Sequence, residues 1–359
     1  MTLANRRGVP NQATLLSALF CLSLVGCVGV LGSEHQNPRP RIEVDAALTD
    51  AGEAIWPDGG VPSDAGLSTI RDAGPVSPID AGPGNPDAGS HDESCYEEPI
   101  DPLADVSDIV GSYGGSGWQD QLIEAVGRRH PASAFLLNAQ RSDRYFSMFS
   151  DSSDWGGMVG WLDTLVHEET HLFNGSSSVG GDHAIFLRED RILYLPASLE
   201  GFPRSEIMPL VDVLPDGQYS SLYLRGSQGE RGFIALIDEA TCYINEMIAL
   251  GLFGEYYPGA GVSSRDGSVA FLYYVQLYLR RARTAHPAFY ATLRDDPAAV
   301  AVVAENWLRT HLYLEHSMRH GSLGIDDARY REAMYRPENL NEMAMFVGRR
   351  VGDSNCYLD

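Results

Sequence analysis

The chain has no lysine: its 26 basic residues are all arginine and face 49 acidic ones, for a formal net charge of −23 over 359 residues. The missing residue type reads as the codon habit of a GC-rich genome rather than as chemistry. The acidic surplus argues against nucleic acid as a partner. Cysteine is also scarce, with five in the chain, at positions 21, 27, 95, 242 and 356. They are too dispersed to build a structural zinc cluster. A long hydrophobic run is missing too, because the stretch at residues 13–25 falls short of the about 20 apolar residues that a permanent membrane helix needs.

What the N-terminus does hold is a cationic start, ending in Asn5-Arg6-Arg7, ahead of that short apolar run. The layout is that of an export signal peptide over residues 1–26. It closes on Leu24-Val25-Gly26-Cys27, which resembles the lipobox of bacterial lipoproteins. That resemblance implies cleavage before Cys27 and diacylglycerol on its thiol. Because Val28 rather than Asp follows, it also implies an outer-membrane lipoprotein, on the periplasmic or surface face. Acyl chains contribute about 0.8 kcal/mol per buried methylene, so several would anchor the protein firmly. Residues 27–94 are rich in Asp, Ala, Gly and Pro, with Asp-Ala-Gly recurring from Asp50, Asp64, Asp72, Asp80 and Asp87. The nonapeptide spacing of calcium-binding repeats is missing there. Backbone ordering costs about 1 to 2 kcal/mol per residue, and so little apolar surface cannot offset it, so this segment is expected to be a disordered tether.

Residues 95–359 remain, enough for one substantial core or two closely packed lobes. In an exported chain Cys95 and Cys356 can oxidise, and because they bracket this domain a bridge between its ends is expected. Cys242, among apolar helical neighbours, is expected to stay reduced and buried. Ser116 caps a predicted helix over residues 116–126, and the short apolar run at 133–137 reads as a possible strand. Caps at 151–154 precede the stripe Met158, Val159, Trp161, Leu162, Leu165 and Val166, a helix expected to stop at Asn174-Gly175. Residues 183–188 and 191–195 flank Glu189-Asp190 as a hairpin. Further helices are expected near 233–252, 269–283, 298–318, 326–335 and 340–351. The fold class is therefore α+β, predominantly helical, with a small sheet and a helical C-terminal half.

The predicted helix from 158 onward carries His167-Glu168-Glu169-Thr170-His171. Residues four apart share one helical face, so His167 and His171 can grip a single ion while Glu168 stays beside it. Zinc is the expected cofactor: it lowers the pKa of bound water to about 7, and a nearby carboxylate takes the proton as that water attacks a carbonyl. Glu239, Tyr243 and Glu246 share a face of the helix predicted over 233–252. Glu239, amid Ile237, Ala240 and Ile244, would be costly to desolvate unless a cation met it, and is the favoured third ligand. Glu246 and, on a later helix, Glu342 stay open as alternatives. His183 either folds back to the site or marks an exposed hairpin end. His316 and His320 could donate to an oxyanion, but a basic helix end explains them more simply, as it does Arg280, Arg281 and Arg283.

The segment from Thr164 to Leu172 resembles the active-site helix of the zincin metallopeptidases. Asn174 and Ser177 stand where the metzincin branch has Gly and a third His, so the resemblance is to the gluzincin branch, which takes its third ligand from a Glu on a later helix. Glu239-Ala240 followed by Tyr243 is similar to the wording of such ligand helices, and leaves Tyr243 or Glu246 to orient a histidine. The long gap between the two helices, with a hairpin inserted, departs from thermolysin. The resemblance implies a zinc-dependent peptidase held by His167, His171 and Glu239, with Glu168 as base and then acid. Its expected partners are a peptide or protein substrate and a membrane reached through the lipid anchor, with no nucleic acid, and the chain is expected to be a monomer. The alternatives are an inactive zincin-like binding lipoprotein and a peptidoglycan amidase.

Overall fold

The computed structural model describes residues 95–259 and 261–358. The export signal, Cys27 and the tether at 27–94 lie outside the described residues. Nine helices of eight or more residues are present among the described residues: α1 (Trp118–Arg129), α2 (Pro131–Gln140), α3 (Leu162–Ser177), α4 (Phe233–Gly251), α5 (Ser264–Ala285), α6 (Pro287–Asp295), α7 (Pro297–Met318), α8 (Asp327–Met334) and α9 (Pro337–Val347). Between α3 and α4 runs one hairpin, β1 (Asp182–Arg188) and β2 (Arg191–Pro196). The strands pair antiparallel from Asp182 with Pro196 to Arg188 with Arg191, and the register shifts between Phe186 and Arg188. The predominantly helical α+β class is thus the observed one.

α4 is apolar on nearly every side, as a helix buried all round must be. It packs against α3, α5, α7 and β1 at once, and only Asp238 among its 19 residues escapes full burial. Side chains such as Phe233, Leu236, Ile244 and Leu250 are inaccessible to solvent, each contributing roughly 1.5 to 3 kcal/mol by leaving water. α4 therefore serves as the rigid axis on which the acidic residues are carried.

Several local expectations change in the folded chain. Residues 133–137 are helical rather than extended, as part of α2. Pro131 occupies the first turn, where its missing N–H costs nothing, and His130 caps the helix by accepting from Ser133 N. The stripe beginning at Met158 is two helices, a short one over Trp155–Val159 capped by Asp154, and then α3 after a break at Gly160. Asn174-Gly175 does not end α3, which continues to Ser177. Asn174 is held in place instead, its amide donating to Asp238 at 2.7 Å and its carbonyl accepting from Phe186 N at 2.8 Å. α1 begins at Trp118 without a side-chain cap, and α6 was not anticipated.

The two ends of the domain are clamped to each other. Cys95 and Cys356 form a disulfide across 261 residues. Just inside it, the buried Glu98 carboxylate accepts from His130 Nε2 at 2.9 Å, Tyr96 Oη at 3.0 Å and Arg309 Nε at 3.3 Å. Burial opposes ionisation of Glu98, yet the Arg309 guanidinium and these hydrogen bonds hold its carboxyl well below the usual range.

Candidate metal centre

α3 and α4 cross where His167 and His171 face Glu239. The two Nε2 atoms are 3.2 Å apart, and Glu239 Oε2 lies 3.6 Å from that of His167 and 3.5 Å from that of His171. These three donors form a near-equilateral triangle. Zinc bonds of about 2.0 to 2.1 Å in tetrahedral array place neighbouring donors roughly 3.3 Å apart, so the triangle already has the size of one tetrahedral face.

The opposite edges of both imidazoles are fixed. His167 Nδ1 meets Glu246 Oε2 at 2.8 Å, and His171 Nδ1 meets Asp238 Oδ2 at 2.6 Å. A carboxylate on Nδ1 keeps the proton there, which turns the Nε2 lone pair inward. Two inward lone pairs and the buried Glu239 Oε2, which has no hydrogen-bond partner, then converge on one point. Such a convergence repels itself unless a proton or a metal cation occupies it, and the N, N, O donor set can hold a divalent one. His167, His171 and Glu239 are accordingly a group that could hold a metal ion.

The protonation tendencies follow from this crowding. Burial opposes charge on His167, but Glu239 and Glu246 outweigh it and push its pKa up to about 9. His171 rises well above its ordinary value against burial. Cys242 Sγ lies 3.3 Å from His171 Nδ1, yet burial raises the Cys242 thiol and keeps it neutral, so the rise at His171 comes from Asp238 and Glu239. Burial disfavours the Glu239 anion, but the two imidazoles hold its carboxyl well below the usual range. Glu246, buried between His167 and the acidic Asp163, is pushed up to about 8 by burial.

Glu168 is partly exposed beside the triangle, within electrostatic reach of Glu246. Tyr243 supports His167 from behind: their ring centroids are 4.5 Å apart, and Tyr243 Oη is 2.7 Å from Tyr223 Oη. Gly267 of α5 makes room for this ring, because a Cβ there would stand 2.0 Å from Tyr243 Cδ1.

Other residues singled out from the sequence lie elsewhere or act differently. Glu246 reaches Nδ1 of His167 rather than the Nε2 face, so it orients that imidazole and does not complete the triangle. Glu342 is taken by Arg283 through contacts of 2.9 and 2.8 Å. His183 is exposed on β1, opposite Leu195. His316 stands in the last turn of α7, and the His320 ring packs where a Cβ on Gly254 would fall. Arg280 and Arg281 bond Asn339 and Glu206. Asp238 and Asn174 were missed by sequence reasoning, although an acid beside Glu239 on an otherwise apolar helix was a readable sign. Cys242 is buried and reduced as expected, but its contact with His171 was not. With His171 and Asp238 it forms a second potential donor group, whose space is already filled by the 2.6 Å hydrogen bond.

Comparison of the chain with protein-family models, curated proteins and solved structures returns no match.

Proposed function

We propose that this chain is a zinc-dependent peptidase anchored to the bacterial envelope through Cys27, with His167, His171 and Glu239 as metal ligands. One observation carries the reading: two imidazole Nε2 atoms and one orphaned carboxylate oxygen converge at 3.2 to 3.6 Å while carboxylates hold both Nδ1 atoms. Zinc bound there would supply Lewis acidity toward water and the substrate carbonyl.

The protein's own groups divide the remaining work. Glu246 and Asp238 keep the imidazoles in the ligating tautomer and fix their angles. Among the described residues the Glu168 carboxylate makes no hydrogen bond or ion pair, which leaves it to accept a proton from the attacking water and return it to the departing amine. The low exposure of His167 and Glu239 excludes bulk water from the ligand side and strengthens each charge interaction there. The presence of Glu168 favours catalysis over simple binding, because metal retention alone does not need it.

Metal analysis of the purified chain, with turnover of a fluorescein-labelled casein, tests this. Wild type should carry one zinc and hydrolyse the probe. Glu168→Gln should keep the metal and lose at least about 100-fold in rate, while Glu239→Ala should lose the metal. Full metal content in Glu239→Ala would remove Glu239 from the site, and full activity in Glu168→Gln would end the hydrolytic role given to Glu168.

A further inference from the structure

Away from the metal triangle, and sharing none of its residues, a cleft of about 500 Å³ runs along α7. Its floor is small and apolar, with Val300, Ala301 and Ala304 spaced along one face of the helix, and arginines from three other segments stand around it: Arg191, Arg294 and Arg349. Arg191 is already committed to Glu305, which accepts from its Nε at 2.9 Å. Arg294 and Arg349 form no ion pair among the described residues. Arg349 is instead held over the ring of Tyr357, with its guanidinium carbon 4.9 Å from the centroid. That contact orients the cation while leaving its N–H groups available to an acceptor. Tyr357 lines the same cleft, and its hydroxyl adds a donor beside it.

The cleft therefore holds three guanidiniums against two carboxylates, Asp295 and Glu305, on a chain whose net charge is −23. Its local sign is opposite to the background, its size lies in the range of roughly 300 to 1,000 Å³ that small ligands use, and its floor is greasy. Guanidinium binds carboxylate through paired N–H groups. We propose that this cleft binds a carboxylate carrying an apolar body, the head on Arg349 and Arg294 and the body along Val300, Ala301 and Ala304. Two sources share that chemistry: the free C-terminus of an apolar peptide and a medium-chain fatty acid. The proposal does not depend on the hydrolytic reading.

Isothermal titration of the full chain with decanoate, with N-acetyl-Leu-Leu-Phe as the free acid, and with the same peptide as the amide tests it. At least one acid should bind with a Kd of about 1 mM or tighter, more weakly as salt is raised. The amide should bind at least about tenfold more weakly than the peptide acid if the peptide is the ligand. Binding of decanoate alone would assign the cleft to fatty acids, and binding of the peptide acid alone to C-termini. Two variants act by different means: Arg294→Gln/Arg349→Gln removes the head group's partners, and Ala301→Trp fills the floor. Each should weaken the bound acid by about tenfold or more without altering metal content. Failure of both acids to bind wild type, or equal binding by wild type and either folded variant, overturns the proposal.

Discussion

Replacing the two carboxylates that hold the histidines gives a direct measure of how the metal triangle is built. Partners of this kind are each worth about 10- to 100-fold in metal affinity, or roughly 1.4 to 2.7 kcal/mol. The two contacts here are not equivalent. His167 and Glu246 have side chains only 5% and 7% exposed, whereas His171 and Asp238 are 27% and 21% exposed. Water can replace Asp238 in part but cannot reach Glu246. Glu246→Gln is thus expected near the upper limit, about 100-fold, and Asp238→Asn near the lower, about tenfold. Both rings serve one ion and their Nε2 atoms are 3.2 Å apart, so the double variant should depart from the product of the single losses, about 1,000-fold. Competition with a chromophoric chelator at neutral pH gives the apparent Kd for each. Cys242→Ser serves as the control, because the thiol lies on the Nδ1 side of His171 and should change affinity less than about twofold. A larger loss in Cys242→Ser than in Glu246→Gln would place the ion on the other edge of His171 and refute the argument.

Gly267→Ala would drive a methyl into the Tyr243 ring, since the new Cβ would stand 2.0 Å from Cδ1; overpacking of about 1 to 3 kcal/mol should appear in the urea midpoint, with weakened metal binding because Tyr243 backs His167. Glu98→Gln strands the buried Arg309 and should cost about 3 to 5 kcal/mol. Since the folded Glu98 carboxyl is depressed, its contribution is complete above the ordinary carboxylate pKa of about 4.3 and is lost progressively as pH falls below it, so denaturation curves should show wild type losing more stability than Glu98→Gln on acidification. Glu169 has the opposite sign: fully buried, with neither oxygen hydrogen-bonded, it is pushed up to about 8 by burial and the neighbouring Asp143 and Glu168. Its folded form keeps a proton that the unfolded chain releases, so it contributes a decline in stability as pH rises from about 4.3 toward 8, and Glu169→Gln should make the observed decline shallower and gain roughly 1 to 3 kcal/mol at pH 8, while Glu246 and His167, also raised, keep their share of it. Equal pH profiles for wild type and Glu169→Gln would contradict that environment.

Periodicity and spacing determined a good deal of this molecule. The spacing of apolar residues over 233–252 marked a helix, and the two apolar runs flanking Glu189-Asp190 marked the hairpin. The four-residue interval from His167 to His171 placed two imidazoles on one face, because a helix repeats every 3.6 residues whatever surrounds it. An acid amid Ile237, Ala240 and Ile244 pointed to Glu239 by the cost of burying it alone. Tertiary structure alone decided what lay across space. Glu246 and Glu239 share a face and a residue type, and only the crossing of α3 on α4 aims one at Nδ1 and the other at the Nε2 pair. Asp238 acquires its role from Asn174 and His171, which are 64 and 67 positions away. Residues 133–137 resolve to helix through the His130 cap and Pro131, and Asn174-Gly175 fails to stop α3 because β1 and Asp238 satisfy the asparagine. Local preferences fix what a segment can be, whereas orientation of one charged group against another depends on packing between segments, which one-dimensional spacing does not encode.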